Sequence, residues 1–315
     1  MKIAIVGAGY AGLAATWYLL QNGDDVTVFD GGQGASHAST GLLHPAPGRK
    51  AVPIWRAEEG MKAAKELLAV AGPVFEESGI LRIAVDDAQR KDFGGDTLWV
   101  PEGITVYSRP YLAGLKRACK RAQFVNQWVS NLQELDGFDA IILTTGAETL
   151  QLVDLPLKKT LGQSLICRWK ERLPMSLLSH GHITPTEDPE LCQVGSTYEH
   201  TEKPDPQKAL ALLDQAALFH PPAKDFEIVE IRSGVRISPK IGYQPIVTQV
   251  APKTWVFTGL GSRGLIYHAL FAQSIPVALA KLSLSQYVEI YEAKRTDLQR
   301  AKSPSSHATV FNSRI

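Results

Sequence analysis

The sequence predicts an α/β fold in which a parallel-sheet domain is interleaved with a smaller domain built on an antiparallel sheet. Two observations carry this prediction. Three short apolar runs, each followed within three residues by glycine, are typical of buried parallel strands, and they lie near the start, the middle and the far end of the chain. Between them, residues 80–107 and 157–237 hold amphipathic strand-like runs separated by turn residues, as in antiparallel sheets.

The composition is that of an ordinary globular protein. Hydrophobic residues make up 44% and charged residues 21% of the 315 positions, which excludes a disordered chain. Lysine and arginine total 33 against 32 acidic residues, which leaves a net charge of +1. This balance disfavours a dedicated nucleic-acid binder, although a local basic patch binds without an overall excess.

The cysteines and the apolar runs indicate a cytoplasmic protein. Cys119, Cys167 and Cys192 form no close pair, so we expect neither a disulfide framework nor a cysteine-rich zinc site. No apolar run reaches the roughly 18 residues that span a membrane. The pair His180 and His182 lacks a third ligand nearby, so we interpret it as part of a loop and expect no metal.

The first elements are a strand, a glycine turn, a helix and a second strand. Residues 3–6 are continuously apolar, and the Gly-rich stretch 7–12 follows directly. Residues 13–21 then form a helix that is apolar on most sides and ends at Asn-Gly. The second strand covers residues 26–29, and Asp30 ends it.

The motif Gly7-x-Gly9-x-x-Gly12 in this setting predicts a dinucleotide-binding, Rossmann-like turn. The first glycine permits the tight turn, the second lets backbone approach a pyrophosphate, and the third allows close packing of helix and strand. Asp30 follows Gly12 by 18 positions, a spacing that suits a carboxylate accepting from ribose hydroxyls and that disfavours a 2′-phosphate. A glycine turn that binds nothing is the disfavoured alternative.

The motif alone does not separate NAD from FAD. Two features favour FAD: the motif lies near residue 1, and the chain returns to the same sheet with a second glycine loop at 259–264. The remaining predicted elements are listed in chain order. They are a small-residue loop at 31–47, a helix at 57–71, a helix at 110–122, a strand at 124–129, a strand at 138–143, a strand at 255–258, and a helix at 265–281.

These elements predict a discontinuous domain organisation. The FAD-binding domain is assigned to 1–45, 107–155 and 245–300, and the substrate domain to 46–106 and 156–244. Residues 301–315 are polar and serine-rich, and we expect a flexible tail there.

Five segments together resemble the D-amino-acid oxidase superfamily of FAD-dependent oxidoreductases. They are 7–12 with Asp30, 35–42, 144–147, 234–236 and 259–265. This family includes glycine oxidase, sarcosine oxidase and the oxidase domain of the bifunctional enzyme of tRNA 5-methylaminomethyl-2-thiouridine biosynthesis. The motif Gly-Ser-Arg-Gly-Leu at 261–265 is most similar to the corresponding motif of the tRNA-modifying oxidase.

The resemblance implies non-covalent FAD held by a set of largely small residues. They are Gly7, Ala8, Gly9, Ala11, Gly12, Asp30, Ser36, Ser39, Thr40, Gly41, Leu42, Val129, Thr145, Gly146, Gly259, Gly261, Ser262, Arg263, Gly264 and Leu265. Some relatives attach the flavin to a histidine in the 35–42 loop. His37 lies one residue out of register with that position, which leaves covalent attachment as the alternative.

The resemblance also implies the reaction and the residues that carry it. Family members oxidise a C–N bond of an amino acid or secondary amine by hydride transfer to flavin N5, with no protein base strictly required. Arg236 and Arg263 match positions where a guanidinium binds the substrate carboxylate, with a structural ion pair as the alternative for each. Tyr243 is the third predicted catalytic residue; for it and for His44, Tyr267 and His268, packing or surface roles are the alternative.

The substrate stays open at this point. Where the family has an Asp-Gly-x-Pro turn, residues 240–245 read Lys-Ile-Gly-Tyr-Gln-Pro, and Tyr267-His268 replaces small residues. A small-molecule amine or amino-acid substrate is favoured. The alternatives are a tRNA wobble-uridine oxidase and an FAD-bearing module without activity. Basic clusters at 116–121 and 294–302 favour the tRNA alternative. The electron acceptor and the oligomeric state are not determined by these patterns.

Overall fold

The computed structural model describes residues 1–32, 34–201 and 203–281. The predicted tail at 301–315, the basic cluster at 294–302 and the end of the segment 245–300 lie outside the described residues. The strands, in chain order, are β1 (Lys2–Val6), β2 (Asp25–Phe29), β3 (Leu42–Leu43), β4 (Phe75–Glu76), β5 (Ile80–Ile83), β6 (Thr97–Val100), β7 (Ile104–Val106), β8 (Gln123–Val125), β9 (Ala140–Leu143), β10 (Leu157–Arg168), β11 (Ser176–Leu178), β12 (His182–Pro185), β13 (Leu191–Gly195), β14 (Glu227–Pro239), β15 (Ile246–Ala251) and β16 (Thr254–Thr258).

The helices are interspersed with these strands. In chain order they are α1 (Tyr10–Gln21), α2 (Ala57–Ala71), α3 (Asp87–Phe93), α4 (Ser108–Ala118), α5 (Thr149–Leu152), α6 (Pro206–Leu210), α7 (Leu212–Ala217), α8 (Gly264–Ala272) and α9 (Ile275–Lys281). Short 3₁₀ turns cover Ala35–Ala38, Leu132–Leu135, Gly146–Glu148, Pro221–Asp225 and Gly261–Arg263.

The first sheet has six strands in the order β15-β16-β9-β1-β2-β8. All neighbours are parallel except the edge pair β15–β16. Ile3 and Ile5 of β1 face a core shared with α1, α2, α4 and α8, whereas Ala4 and Val6 face a second core on the other side. Burial on both faces explains the continuous apolar runs in the sequence and confirms the predicted α/β class.

The second sheet has seven strands in the order β14-β10-β13-β12-β11-β5-β6. Its neighbours are antiparallel except for β11 and β5, which run parallel from Ser176↔Ile80 to Leu178↔Arg82. The pair β10–β14 extends from Leu157↔Pro239 to Arg168↔Glu227. One face of this sheet packs on α6 and α7 through residues that include Leu165, Ile183 and Leu212.

The sheets draw on separate stretches of sequence. The six-stranded sheet takes its strands from 1–45, 107–155 and 245–300, and the seven-stranded sheet from 46–106 and 156–244. A third sheet, β3-β7-β4, pairs Leu42 with Thr105 and so crosses the boundary at residue 45. The division into an FAD-binding and a substrate domain stays a prediction.

Several predicted elements differ from those in the structure. The helix predicted at 265–281 is two helices, α8 and α9. Pro276 lacks an N–H, and its ring would meet the carbonyl of Ala272 in a continuous helix, which accounts for the break. The strand predicted at 124–129 ends at Val125, the helix predicted at 110–122 is α4, and His182 belongs to β12 rather than to a loop.

Candidate active site

A cavity of about 820 Å³ lies between the carboxyl edge of the six-stranded sheet and one face of the seven-stranded sheet. The loops after β1, β2, β9 and β16 line one side, and β10, β12 and β14 line the other. Small-molecule and cofactor sites have volumes in this range, and ligands of open α/β sheets bind beyond the carboxyl ends of the strands. The position of the cavity therefore follows from the order and direction of the strands in the six-stranded sheet.

The turn after β1 has a conformation that only glycine accommodates. Gly7 has φ of +100°, and a Cβ there would lie 2.8 Å from the carbonyl oxygen of Thr144. A Cβ on Gly12 would overlap the carbonyl oxygen of Gly7 and lie 2.7 Å from Oγ1 of Thr144. That hydroxyl donates to the carbonyls of Val6 and Gly7, both at 2.8 Å, so it ties β9 to the turn. These contacts let helix α1 begin directly against the strand.

The start of α1 offers its positive end to the cavity. Gly9 is the N-cap residue and provides no side-chain cap. The Ala8 N–H donates to Oδ1 of Asp30 at 3.1 Å, and the Tyr10 N–H donates to Oγ of Ser36 at 3.1 Å. Both acceptors line the cavity. A helix N-terminus in this position favours an anionic ligand such as a pyrophosphate.

A second uncapped helix N-terminus faces the same cavity. Gly259 and Gly261 have φ of +79° and +53°, and the turn that they form leads into α8. Gly264 and Leu265, the first residues of α8, line the cavity, and no side chain caps this helix. Two helix dipoles therefore stabilise negative charge at two places in one cavity.

Arg236 provides the cation on the other side of the cavity. It lies on β14 opposite Thr160 of β10, and Gly162 leaves room for its guanidinium, which a Cβ there would overlap. Nη2 donates to the carbonyl of Thr197 at 2.8 Å, and the guanidinium lies 5.5 Å from the ring centroid of Tyr198. Its Nε is buried and has no partner among the residues that the structure describes. Burial lowers the pKa of Arg236, but a guanidinium remains charged at neutral pH.

His182 lies close to Arg236, and its buried Nε2 has no partner within residues 1–32, 34–201 and 203–281. Burial, followed by the charge of Arg236, lowers the pKa of His182 to about 3, so the imidazole is neutral at pH 7. The sequence analysis assigned this residue to a loop. The alternation with Ile183, which faces the core beneath α6 and α7, was the available signal that His182 faces the opposite side.

Several other buried polar atoms in the lining have no partner in the described part of the chain. They are Tyr10 Oη, His37 Nδ1, His44 Nδ1, Gln163 Oε1 and Thr258 Oγ1. Burial, followed by the charge of Arg82, lowers the pKa of His44 to about 4. Buried polar groups are normally hydrogen-bonded, so these atoms indicate a polar ligand.

Most of the predicted cofactor residues come together here. Those that line the cavity are Gly7, Ala8, Gly9, Ala11, Asp30, Ser36, Ser39, Thr40, Leu42, Val129, Thr145, Gly146, Gly259, Gly261, Ser262, Gly264 and Leu265. Gly12 and Gly41 lie behind the lining. A Cβ on Gly41, which has φ of +77°, would overlap the carbonyl oxygen of Val106, so this glycine allows close approach of β7.

Arg263 and Tyr243 do not line the cavity in the structure. The guanidinium of Arg263 lies 4.2 Å from the ring centroid of Tyr243, whose side chain is 63% exposed. The two catalytic roles assigned to them stay predictions. Of the other predicted pocket residues, His44 lines the cavity, whereas Tyr267 and His268 are buried in the core around α8.

The core position of His268 gives it two hydrogen bonds. Tyr111 Oη donates to Nε2 at 2.6 Å, and Nδ1 donates to the carbonyl of Leu265 at 2.9 Å, which requires the neutral ring with its proton on Nδ1. Burial lowers the pKa of His268 to about 4. His268 thus joins α8 to α4, and Tyr267 donates to the carbonyl of Trp55 at 2.8 Å; neither side chain lines the cavity.

These histidines predict acid sensitivity between pH 6.5 and about 4. The unfolded chain binds protons with a histidine pKa near 6.5, whereas His44, His182 and His268 resist protonation when folded. The free energy of unfolding should therefore fall, as pH decreases through this window, by up to about 1.4 kcal/mol per pH unit for each of them. Urea denaturation at intervals from pH 7 to pH 5 measures this slope.

A pair of variants separates titration from packing. His268→Gln removes one titrating group and should lower the slope by up to about 1.4 kcal/mol per pH unit. Tyr111→Phe removes the hydroxyl from which His268 accepts a hydrogen bond. It should therefore lower the free energy of unfolding by about 1–3 kcal/mol at every pH and leave the slope unchanged. An unaltered slope in His268→Gln would contradict the assignment.

Within residues 1–32, 34–201 and 203–281, no helix is both long enough and apolar enough to cross a membrane. In the same residues, no group of three or more His, Cys, Asp or Glu side chains is arranged to hold a metal ion. His180, the other member of the pair noted above, instead contacts Oδ2 of Asp86 at 2.9 Å.

Comparison with known proteins identifies the family. The model of the FAD dependent oxidoreductase (DAO) family matches residues 2–275. Glycine oxidase from Geobacillus kaustophilus is similar with a TM-score of 0.75 and 17% identity, over 90% of this chain and 96% of that one. Iminodiacetate oxidase from Chelativorans sp. BNC1 has a TM-score of 0.73 and 21% identity, over 90% and 98%. Amadoriase I from Aspergillus fumigatus has 0.71 and 16%, over 90% and 87%. No curated protein matches the sequence.

Proposed function

Because the chain belongs to the DAO family of FAD-dependent oxidoreductases, we propose that it oxidises the C–N bond of an amino acid or secondary amine that carries a carboxylate. The observation that carries this proposal is the buried guanidinium of Arg236. Arg236, whose buried Nε has no partner in the described part of the chain, lines the same cavity as the glycine turn and the two helix N-termini. Glycine oxidase and iminodiacetate oxidase, which share the fold, are named for substrates of this class.

The residues of the cavity fit FAD. Gly7 and Gly12 let the turn pack closely against Thr144 and the start of α1, and Gly9 brings bare backbone to the cavity. The start of α1, whose N-cap residue provides no side chain, suits the pyrophosphate. Asp30 would accept from the ribose, while Thr145 and Gly146 would flank the dinucleotide. Bound FAD would supply the acceptor for the hydride that leaves the carbon next to the amine. We propose that the binding is non-covalent, so precipitation of the protein with acid should release the flavin.

Arg236 would bind and orient the substrate. A guanidinium matches a carboxylate with two parallel hydrogen bonds, which fixes the rotation of the substrate as well as its position. Holding the reacting carbon in one orientation removes much of the entropic barrier of the reaction. Nε2 of Gln163 does not compete with Arg236 for the substrate carboxylate, because it donates to Glu199 Oε1 at 2.9 Å.

His182 would contact the amine of the substrate. A neutral imidazole provides one acceptor and one donor and does not repel a cation, so it tolerates the amine in either protonation state. With a pKa of about 3 it is a weak base, and its role is hydrogen bonding rather than proton abstraction. The start of α8 at Gly264 and Leu265 would stabilise negative charge that develops in the cavity during the reaction.

The basic cluster at 116–121 does not line this cavity. Lys116 lies 4.8 Å from the ring centroid of Phe124, and Arg121 donates to the carbonyl of Leu20. These two cations therefore have packing roles at the end of α4. A tRNA substrate, like an FAD-bearing module without activity, enters as an outcome of the experiment below.

An anaerobic visible spectrum tests the proposal. Protein reconstituted with FAD should show a flavin band that bleaches when glycine, sarcosine, iminodiacetate or a D-amino acid is added. The matched reagents are the amides of the same compounds, which keep the amine and lack the carboxylate, and these should leave the band unchanged. Equal bleaching by the amides would contradict a carboxylate requirement. A flavin band that no free amine bleaches would favour a macromolecular substrate or an inactive module.

A further inference from the structure

Trp128 is an exposed aromatic residue at the rim of the cavity. It follows β8 and precedes the 3₁₀ turn Leu132–Leu135. Its side chain is 55% exposed, although the residue lines the cavity. A large apolar ring that is open to solvent at the edge of a ligand site is typical of a surface that the ligand covers.

The contacts of Trp128 place it at the nucleoside end of the cavity. A Cβ on Gly31 would lie 2.9 Å from Cε3 of the indole, so the ring is held against the backbone of the residue that follows Asp30. The Asp30 carboxylate in turn accepts from Ala8 at the start of α1. The indole therefore lies beside Asp30, the acid that suits a ribose. It is distant in sequence from His182 and Arg236, the residues on the substrate side.

The neighbouring groups leave the indole as the contact surface for a planar ring at this end. Gln127 is occupied, because its Nε2 donates to Oε2 of Glu134 at 2.8 Å. Phe29 is buried and packs edge-on against Phe138, with their centroids 5.8 Å apart. An aromatic side chain binds a nucleobase by stacking, since every base has a π face.

We infer that Trp128 stacks on the adenine of FAD and so makes the adenosine half of the cofactor a major source of affinity. This inference rests on the proposed use of FAD at this site. Loss of a stacked aromatic ring weakens binding of a base by about fivefold to a hundredfold. Ligands without the adenine should be insensitive to the change.

Titration of the apoprotein with FAD, ADP and FMN tests this inference. Trp128→Ala should weaken FAD and ADP by a similar factor, about tenfold or more, and leave FMN unchanged. Trp128→Phe keeps an aromatic ring and should bind FAD within about threefold of the wild type. FAD should also quench the tryptophan fluorescence of the wild type more than that of Trp128→Phe.

Trp99→Phe is the matched control. Trp99 is 47% exposed and packs against Gly79 at the end of the seven-stranded sheet, outside the cavity. It should bind all three ligands as the wild type does. Unchanged FAD and ADP binding in Trp128→Ala, or an equal weakening of FMN binding, would overturn this inference and leave the proposed function standing. A wild-type chain that binds neither FAD nor ADP would overturn the proposed function with it.

Discussion

Replacing Arg236 by alanine should lower kcat/KM for a carboxylate-bearing amine by about a hundredfold to a thousandfold. The substrate carboxylate would then enter a buried site without its cation, and the loss corresponds to about 3–4 kcal/mol. The FAD content should be unchanged, because Arg236 lies on β14, across the cavity from the glycine turn. Arg236→Lys keeps the charge without the planar fork, so its kcat/KM should lie between those of the wild type and Arg236→Ala. Reductive half-reaction kinetics under anaerobic conditions measure these losses directly.

Arg263→Ala is the comparison that gives this result its meaning. Both arginines were predicted to bind the carboxylate, yet Arg263 lies against the exposed ring of Tyr243, outside the cavity lining. We expect a loss of less than about fivefold, in keeping with a surface contact. Equal losses in the two variants would support the two-arginine site that the sequence predicts. An Arg236→Ala enzyme with unaltered kinetics would show that this residue does not bind the carboxylate.

Gly12→Ala should prevent FAD binding and lower the free energy of unfolding by about 3 kcal/mol or more. A single methyl group would overlap the Gly7 carbonyl and crowd Oγ1 of Thr144, and neither atom can move without disturbing β1 or β9. Relief of the overlap would displace the start of α1, and with it the N–H groups that face the cavity. Thermal unfolding and the flavin content of the purified protein report the two effects.

Gly137→Ala provides the control for this substitution. A Cβ on Gly137 meets nothing within 4 Å, and its φ does not lie in the left-handed region. The same chemical change there should alter stability by less than about 0.5–1 kcal/mol and leave FAD binding intact. If Gly12→Ala behaved like this control, the close approach of α1 to β1 would not be needed for the site.

The part of the site that sequence predicts well is local in the chain. Gly7, Gly12 and Asp30 fall within one strand–helix–strand unit, so spacing alone defines their geometry. The α/β class also follows from local patterns, because strands that are buried on both faces must be continuously apolar. The start and end of α2 at residues 57 and 71 agree with the periodicity for the same reason.

The missed features depend on contacts between distant segments. His182 faces the cavity only because β12 pairs with β13, where His182 lies opposite Gly195. Trp128 gains its place from Gly31, which is remote in sequence. Arg263 has a matching motif, yet its side chain lies against Tyr243, which is on another loop. Such pairings are not encoded in spacing or periodicity, so a single sequence leaves them open.

The order of strands in the six-stranded sheet also constrains how the protein is made. β1 precedes β2 closely in the chain and can pair with it at once, but its other neighbour, β9, begins at Ala140. β9 in turn waits for β16, which begins at Thr254. A nascent chain on the ribosome therefore carries an apolar strand with one open edge through most of its translation, and distant pairings of this kind form slowly. The cavity closes only after β16 and the glycine turn that follows it have emerged, so truncation before β16 would leave β9 with an open edge and remove that side of the cavity.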